Sequence, residues 1–271
     1  MIHPQVVELL KLPTHEQRSQ EWYDNRNKRL TASDAASALE INKYSSREEL
    51  LFKKCGVFIP FEGNVATKHG QKYEDEAIEE YEKLTGEKVN QFGLINHPTI
   101  DCIGGSPDGI TDTGIVIEVK CPFRRKIIPG VIPEYYMPQV QLVMECTNLD
   151  VCHFIQYTPP RYENDPHRTL DIKSIPRDKG WFAKYFPVMR DFWAEVLNYR
   201  KIGIDKHPKY DKWVKKVEKH KLKTEEAQKN KKTVVEEKKS PPKISGPLDK
   251  FVVNNKITIK VTPKYDFDDN Y

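Results

Sequence analysis

The chain has 271 residues, 38% hydrophobic and 31% charged, enough to bury one sizeable core and too polar for a bundle of membrane spans. Charge is uneven: residues 201–250 hold 16 Lys against 8 acidic residues, residues 251–271 balance at 3 Lys and 3 Asp, and residues 1–200 carry a net −4. The basic character therefore belongs to a tail, not to the body. Thr14 with Gln17 forms a weak capping box and predicts a helix over roughly 15–28 that carries Trp22 and Tyr23. Thr31 or Ser33 is the natural N-cap of the short Ala-rich helix that follows. Arg26 and Arg29 precede it, and taken alone this is an ordinary cap beside surface arginines. Ser46, Glu49 and Gly56 bracket the next helix. Another is expected over roughly 64–85, stopped by Gly86, with Tyr73, Ala77, Ile78, Tyr81 and Leu84 on its buried face and Glu74 at the border. Asp75, Glu76, Glu79 and Glu80 read as solvated charge.

Strands are predicted over 88–95, 101–105 and 115–120, followed by a Pro-punctuated basic loop with Arg124, Arg125 and Lys126. A helix over roughly 134–146 has Pro138 in its first turn, and further strands cover 151–157 and 169–175. Residues 180–200 form a long amphipathic helix with core aromatics, which Pro187 is expected to kink or to delay. Residues 201–250 lose hydrophobic periodicity and read as linker or single helix, with Trp213 and Val214 as points that can dock on the body. The expected fold is α/β in three layers, a central mixed sheet flanked by helices. Residues 1–200 are its domain, and 201–271 a basic, largely flexible tail.

Chemistry concentrates in residues 106–120. Gly109 and the Thr111–Gly114 cluster are turn residues and 115–119 is a β-branched run, so a hairpin is expected, with Asp108 near the end of its first strand. Glu118 and Lys120, two apart on the second strand, share a face, while Ile117 and Val119 take the other. A carboxylate pair beside an amine suits a hard divalent cation, with the ammonium left for a phosphate or a water.

Glu74 on a helix, Asp108, Glu118-Val-Lys120 and Gln139 on the following helix, in that order, resemble the PD-(D/E)xK nucleases. More narrowly they resemble the phage lambda exonuclease group, also called YqaJ-like viral recombinase nucleases. The resemblance covers about residues 20–200. It also rests on Trp22 with Arg26, Leu30-Thr-Ala-Ser-Asp34, Gly70-Gln-Lys-Tyr-Glu74, Ser106-Pro-Asp-Gly109, Lys120-Cys-Pro-Phe123 and Tyr136-Met-Pro-Gln-Val-Gln141. It implies a restriction-endonuclease-like core and a 5′→3′ exonuclease that degrades one strand of linear double-stranded DNA, leaving 3′ single strands for recombination or repair. By the same resemblance, Asp108, Glu118 and the backbone carbonyl of Val119 hold one Mg²⁺ and Glu74 helps to hold a second, with Mn²⁺ able to substitute. Lys120 either positions and deprotonates the attacking water or neutralises charge on the phosphate. Gln139 and Tyr136 are orienting groups at the edge of the site. Arg26, Ser33 and Ser106 match a pocket for a terminal 5′ phosphate, which turns Ser33 from a cap into a ligand.

The implied partners are double-stranded DNA ends and a single-strand-annealing protein, and the implied source is a virus or phage. Both a ring-shaped homo-oligomer and a monomer fit. An endonuclease, a flap- or single-strand-directed nuclease and a non-catalytic DNA-binding protein are the competing readings, the last disfavoured by the intact acids. Five cysteines without a CxxC pair argue for reduced thiols in a soluble, intracellular protein, in host cytoplasm or nucleus if viral, and Met1-Ile-His-Pro does not read as a signal peptide. Cys121 is expected to be a packed side chain, and His69 and His97 have no ligand pattern. Arg124, Arg125 and Lys126 either contact DNA or are solvated. In the tail, Leu248 and Phe251 have partial spacing of a sliding-clamp box, and 265–271 is an acidic-aromatic end that either docks on a protein or is solvated.

Overall fold

The computed structural model describes residues 1–13, 15, 17–58, 63–161, 165 and 168–239. Thr14, the clamp-like Leu248 and Phe251, and the acidic-aromatic end lie outside them. Residues Met1–Lys223 form one compact unit and Thr224–Tyr271 a second.

The first helices are α1 (Pro4–Leu9) and α2 (Gln20–Asn27). The expected helix over 15–28 thus begins later, because Ser19 is its cap: the Ser19 hydroxyl accepts from the N–H of Trp22 at 3.2 Å. Arg18 just before it has φ 72°, a left-handed conformation that no helix continues through. His15 and Gln17 serve another purpose. The Gln17 amide donates to the carbonyls of Phe92 and Pro107 at 2.9 and 3.2 Å, and the His15 backbone lies so close to Gly93 that a Cβ there would meet its oxygen at 2.4 Å.

That crossing splits the strand expected over 88–95 into β2 (Val89–Asn90) and β3 (Ile95–Asn96). With β1 (Leu30–Thr31), β4 (Ile103–Gly105), β5 (Gly109–Thr111), β6 (Ile115–Lys120), β7 (Val151–Thr158) and β8 (Thr169–Pro176), they form two ladders rather than one sheet. One is ordered β1-β4-β3 and the other β2-β5-β6-β7-β8. Both are mixed, since β1–β4 and β6–β7 are parallel and the other pairs antiparallel.

The remaining helices are α3 (Ala32–Ala38), α4 (Arg47–Lys54), α5 (Val65–Thr85), α6 (Met137–Thr147), α7 (Lys179–Ile202) and α8 (Tyr210–Lys239). Thr31 caps α3, Ser46 caps α4, Asn64 caps α5, and Gly86 closes α5 at φ 74°. Helix α5 covers one face of the five-stranded ladder, where Ala77, Ile78 and Tyr81 pack on Ile117, Val119 and Ile155. The opposite face carries Val116 and Phe154 into the larger core with α3, α6 and α7. Two faces covered by helices make the three layers. Leu84, expected on the buried face of α5, is 67% exposed. Glu76 is not solvated charge, because it is half-buried and accepts from the Tyr157 hydroxyl at 2.5 Å. Pro187 does not delay α7, which starts eight residues earlier and runs through it; Pro187 and Ala183 are exposed, so the carbonyl that loses its donor faces water.

Helix α8 begins inside the first unit. Trp213 and Val217 are buried, Trp213 stands 5.1 Å from the Phe52 ring, and its indole N–H donates to Glu48 at 2.9 Å. Val214, the other expected docking point, is only half-buried. No helix among the described residues is long and apolar enough to cross a membrane.

Candidate active site

Alternation along β6 places Glu118 on the buried face beside Val116, and Lys120 follows it on the same side at the strand's open end. Asp108 does not end the first strand of the hairpin but immediately precedes β5, where its N–H donates to the Ile117 carbonyl at 3.1 Å. Its Oδ2 accepts from the Val119 N–H at 2.7 Å, so one peptide links the two acids. Lys120 Nζ donates to Glu118 Oε1, and Gln139 in the first turn of α6 donates to the same oxygen at 2.5 Å. The Tyr136 ring lies 5.3 Å from Lys120 Nζ. Of the residues expected together, Asp108, Glu118, Lys120 and Gln139 are therefore gathered at one end of β6.

The electrostatics are those of charges held out of water. Burial, with Asp108 adding to it, pushes Glu118 up to about 7, although Lys120 pulls the other way. Asp108 is raised by burial as well. For Lys120, burial alone would depress the ammonium, but Glu118 and Asp108 outweigh it and hold the group protonated. Glu118 Oε2 is buried and has no hydrogen-bond partner. An orphaned carboxylate oxygen beside a second acid is what a hard cation would satisfy, and Mg²⁺ commonly binds through only one or two carboxylates while keeping several waters. Among the described residues, no three His, Cys, Asp or Glu side chains gather into a metal-holding group. The two-acid set fits such an ion, and the described residues form no closed protein cage around it.

Glu74 stands slightly apart. It is half-buried on α5 and is engaged by Arg18 at 3.3 Å, while burial and the Asp108 charge push it up to about 7. A cavity of about 390 Å³ opens between Glu74 and Asp108, with Arg18, Gln71 and Gln91 on its walls. Arg18 carried no sequence signal, since a lone arginine before a helix reads as surface.

Arg26, Ser33 and Ser106 do come together. Arg26 Nη2 donates to Ser33 Oγ at 2.6 Å, and its guanidinium lies 4.2 Å over the Trp22 ring. The Trp22 indole N–H donates in turn to Ser106 Oγ at 3.3 Å. Behind them is a buried ion pair that sequence reading missed. Lys54 Nζ lies 2.7 Å from Asp34 and donates to the carbonyls of Arg26 and Arg29 at 2.9 and 2.7 Å. Asp34 also accepts from the N–H and hydroxyl of Thr31, at 3.1 and 2.7 Å. The Thr-x-x-Asp spacing could have flagged Asp34 as half of a capping box, but nothing marks Lys54, a lysine on an amphipathic helix.

His69 packs on Tyr73 and Phe123, and His97 stacks on Phe182. Cys121 donates to the Tyr73 carbonyl, and burial raises its thiol to about 12. Arg124 and Lys126 are exposed, whereas Arg125 is half-buried and bonds Gln156 at 2.7 Å.

A family model described as a YqaJ-like viral recombinase domain matches residues 21–150, a stretch that holds every site residue named from the sequence. The crystal structure of an alkaline exonuclease from Laribacter hongkongensis matches with a TM-score of 0.59 at 30% identity, covering 68% of this chain and 95% of that one. Protein R354 of Acanthamoeba polyphaga mimivirus is 32% identical over 171 residues, 57% of this chain and 31% of the relative. YqaJ of Bacillus subtilis is 26% identical over 209 residues, 72% of this chain and 62% of the relative. The chain thus spans from about a third to just under two thirds of the length of these two curated relatives. With the three-layer fold and the gathered Asp108, Glu118 and Lys120, these matches show that the chain belongs to the YqaJ-like viral recombinase family, within the lambda exonuclease group of PD-(D/E)xK folds.

Proposed function

We propose that the chain is a divalent-metal-dependent deoxyribonuclease. It hydrolyses one strand of linear double-stranded DNA in the 5′→3′ direction from a 5′-phosphorylated end, leaving 3′ single strands for recombination or repair. The observation that carries the reading is the continuous contact from Arg26 and Ser33, through Trp22, to Ser106, which stands two residues before Asp108. Cation and hydroxyls suited to a terminal phosphate are thereby tied to the loop that bears a metal-ligating acid.

In this reading Asp108, Glu118 and the Val119 carbonyl would hold one Mg²⁺ and Glu74 would serve a second, with Mn²⁺ as a substitute. When bound, these ions supply an activated water and Lewis-acid stabilisation of charge at the phosphorus and the leaving 3′ oxygen. Lys120, hydrogen-bonded to Glu118, would orient the water or neutralise charge on the scissile phosphate. Gln139 fixes the Glu118 carboxylate so that Oε2 stays free.

The test is digestion of a blunt linear duplex, with and without a 5′ phosphate, in Mg²⁺ or in EDTA. The expected result is metal-dependent loss of the phosphorylated strand and none with Asp108→Ala. Cleavage in EDTA, or activity retained in that variant, sinks the reading, and cutting of covalently closed circles replaces it with an endonuclease.

A further inference from the structure

Three tyrosines lead outward from Lys120. The Tyr136 ring, backed by Phe154 at 5.4 Å, lies 5.3 Å from Lys120 Nζ. The Tyr135 ring is 4.4 Å from Tyr136, and the Tyr44 ring meets Tyr135 edge-on at 5.6 Å.

Tyr44 is 69% exposed, yet its backbone is held. Its N–H donates to Asn42 at 2.9 Å, the Asn42 amide donates to Ser37 at 3.0 Å, and the N–H groups of Ile41 and Asn42 both bond the Ala36 carbonyl. A large aromatic ring presented to solvent on a pinned loop is not explained by core packing. Cations accompany the row. Lys43 Nζ lies 5.0 Å over Tyr44 and 5.1 Å over Tyr135, and Lys120 Nζ is 5.3 Å from the Tyr136 ring. On a body whose first 200 residues carry a net −4, that is a local departure from the surrounding charge.

We propose that Tyr44, Tyr135 and Tyr136 form a stacking path for an unpaired strand of DNA, with Lys43 serving its phosphates. Alternating ring faces and cations match a strand that alternates bases and phosphates, and stacking on rings is the way proteins hold single strands without reading sequence. A duplex offers these rings no free base faces. A protein partner would want a contiguous apolar patch without cations set between the rings. Lys43 is exposed and stands where a base would lie, so binding would move its ammonium from the rings to a phosphate. The inference deepens the deoxyribonuclease reading by adding a ligand surface, and its test does not depend on cleavage.

The full chain is titrated in EDTA against a fluorescent oligothymidylate and an abasic oligonucleotide of the same length, which keeps the phosphates and lacks the rings. Wild type should prefer the thymidylate. Tyr44→Ala should lower thymidylate affinity roughly tenfold, the change expected from one lost stack, leave abasic affinity unchanged, and be rescued by Tyr44→Trp. No preference in wild type, no loss in Tyr44→Ala, or equal losses for both ligands would overturn the proposal. If wild type fails to digest duplex DNA in Mg²⁺, the hydrolytic reading falls and the binding result still stands. If it digests duplex but Tyr44→Ala binds normally, only the stacking path falls.

Discussion

Trp22 and Ser106, 84 residues apart in sequence, meet through an indole N–H to hydroxyl hydrogen bond of 3.3 Å, and Arg26 lies on the other side of the same indole. The indole thus couples the Arg26 guanidinium to the loop before Asp108. Arg26→Ala should lower the rate on 5′-phosphorylated ends roughly ten- to a hundredfold, the worth of a charge-assisted hydrogen bond. Its effect on 5′-hydroxyl ends should be much smaller. Rates on the two ends, measured side by side, check this; an equal loss on both would mean that Arg26 is only structural.

The unpartnered Oε2 of Glu118 bears on metal affinity. Glu118→Gln keeps the shape and removes the charge, so it should abolish hydrolysis. Wild type should gain melting temperature as Mg²⁺ is added, because an ion that binds only the folded state stabilises it, and the variant should not. Thermal melts across a Mg²⁺ series read this without any assay of cleavage.

Asp34 and Lys54 make an acid-sensitive fastening. Burial alone would raise the Asp34 pKa, but Lys54, Lys53 and Arg26 together hold it well below the usual carboxylate range. A depressed folded pKa contributes stability that is complete above the unfolded value and is lost as pH falls from there toward the folded one, so the loss should set in below about pH 5. Asp34→Asn should melt at lower temperature at neutral pH, by about 3–5 kcal/mol of stability, because Lys54 is left buried without its carboxylate. Its melting temperature should also fall less steeply in acid. A pH series of melts on both proteins decides.

Cys121 sits next to Lys120, yet burial, with Glu74 and Asp108 nearby, raises its thiol to about 12, so it is a thiol and not a thiolate at neutral pH. Cys121→Ala should keep hydrolysis within about threefold of wild type, a spread below about 1 kcal/mol. Loss of several orders of magnitude in a variant that still melts normally would give the sulfur a chemical role.

The folded body extends beyond the expected boundary at residue 200, since Trp213 is buried against Phe52 and Glu48. A chain ending after Arg200 should melt well below one ending after Lys223, and Trp213→Ala should cost about 3–5 kcal/mol. Equal melting of the two truncations would remove this role from α8.

What sequence made legible was periodicity and punctuation. Two-residue alternation put Glu118 and Lys120 on one face, and Gly86 marked the end of α5 to the residue. What it hid were events between distant segments. The strand over 88–95 is broken because the His15 backbone passes Gly93, which no local pattern records. Leu84 and Leu197 fit the apolar stripes of their helices, yet both are exposed. Lys54 looked like any lysine on a helix, because its meaning lies in carbonyls 25 and 28 residues away.

The two-faced pattern of β6 has a consequence for evolution of the chain. Ile117 and Val119 pack under α5 while Val116 and Glu118 face α6, and all six residues pair in fixed parallel register with β7. A slip of one position would drive Ile117 into the place of the acid and the acid into apolar packing. A misregistered strand is therefore disfavoured, and the pattern that sets the register also keeps the carboxylate aimed. Folding thus guards the register of the strand, whereas the buried acid itself costs stability and is kept for its chemistry.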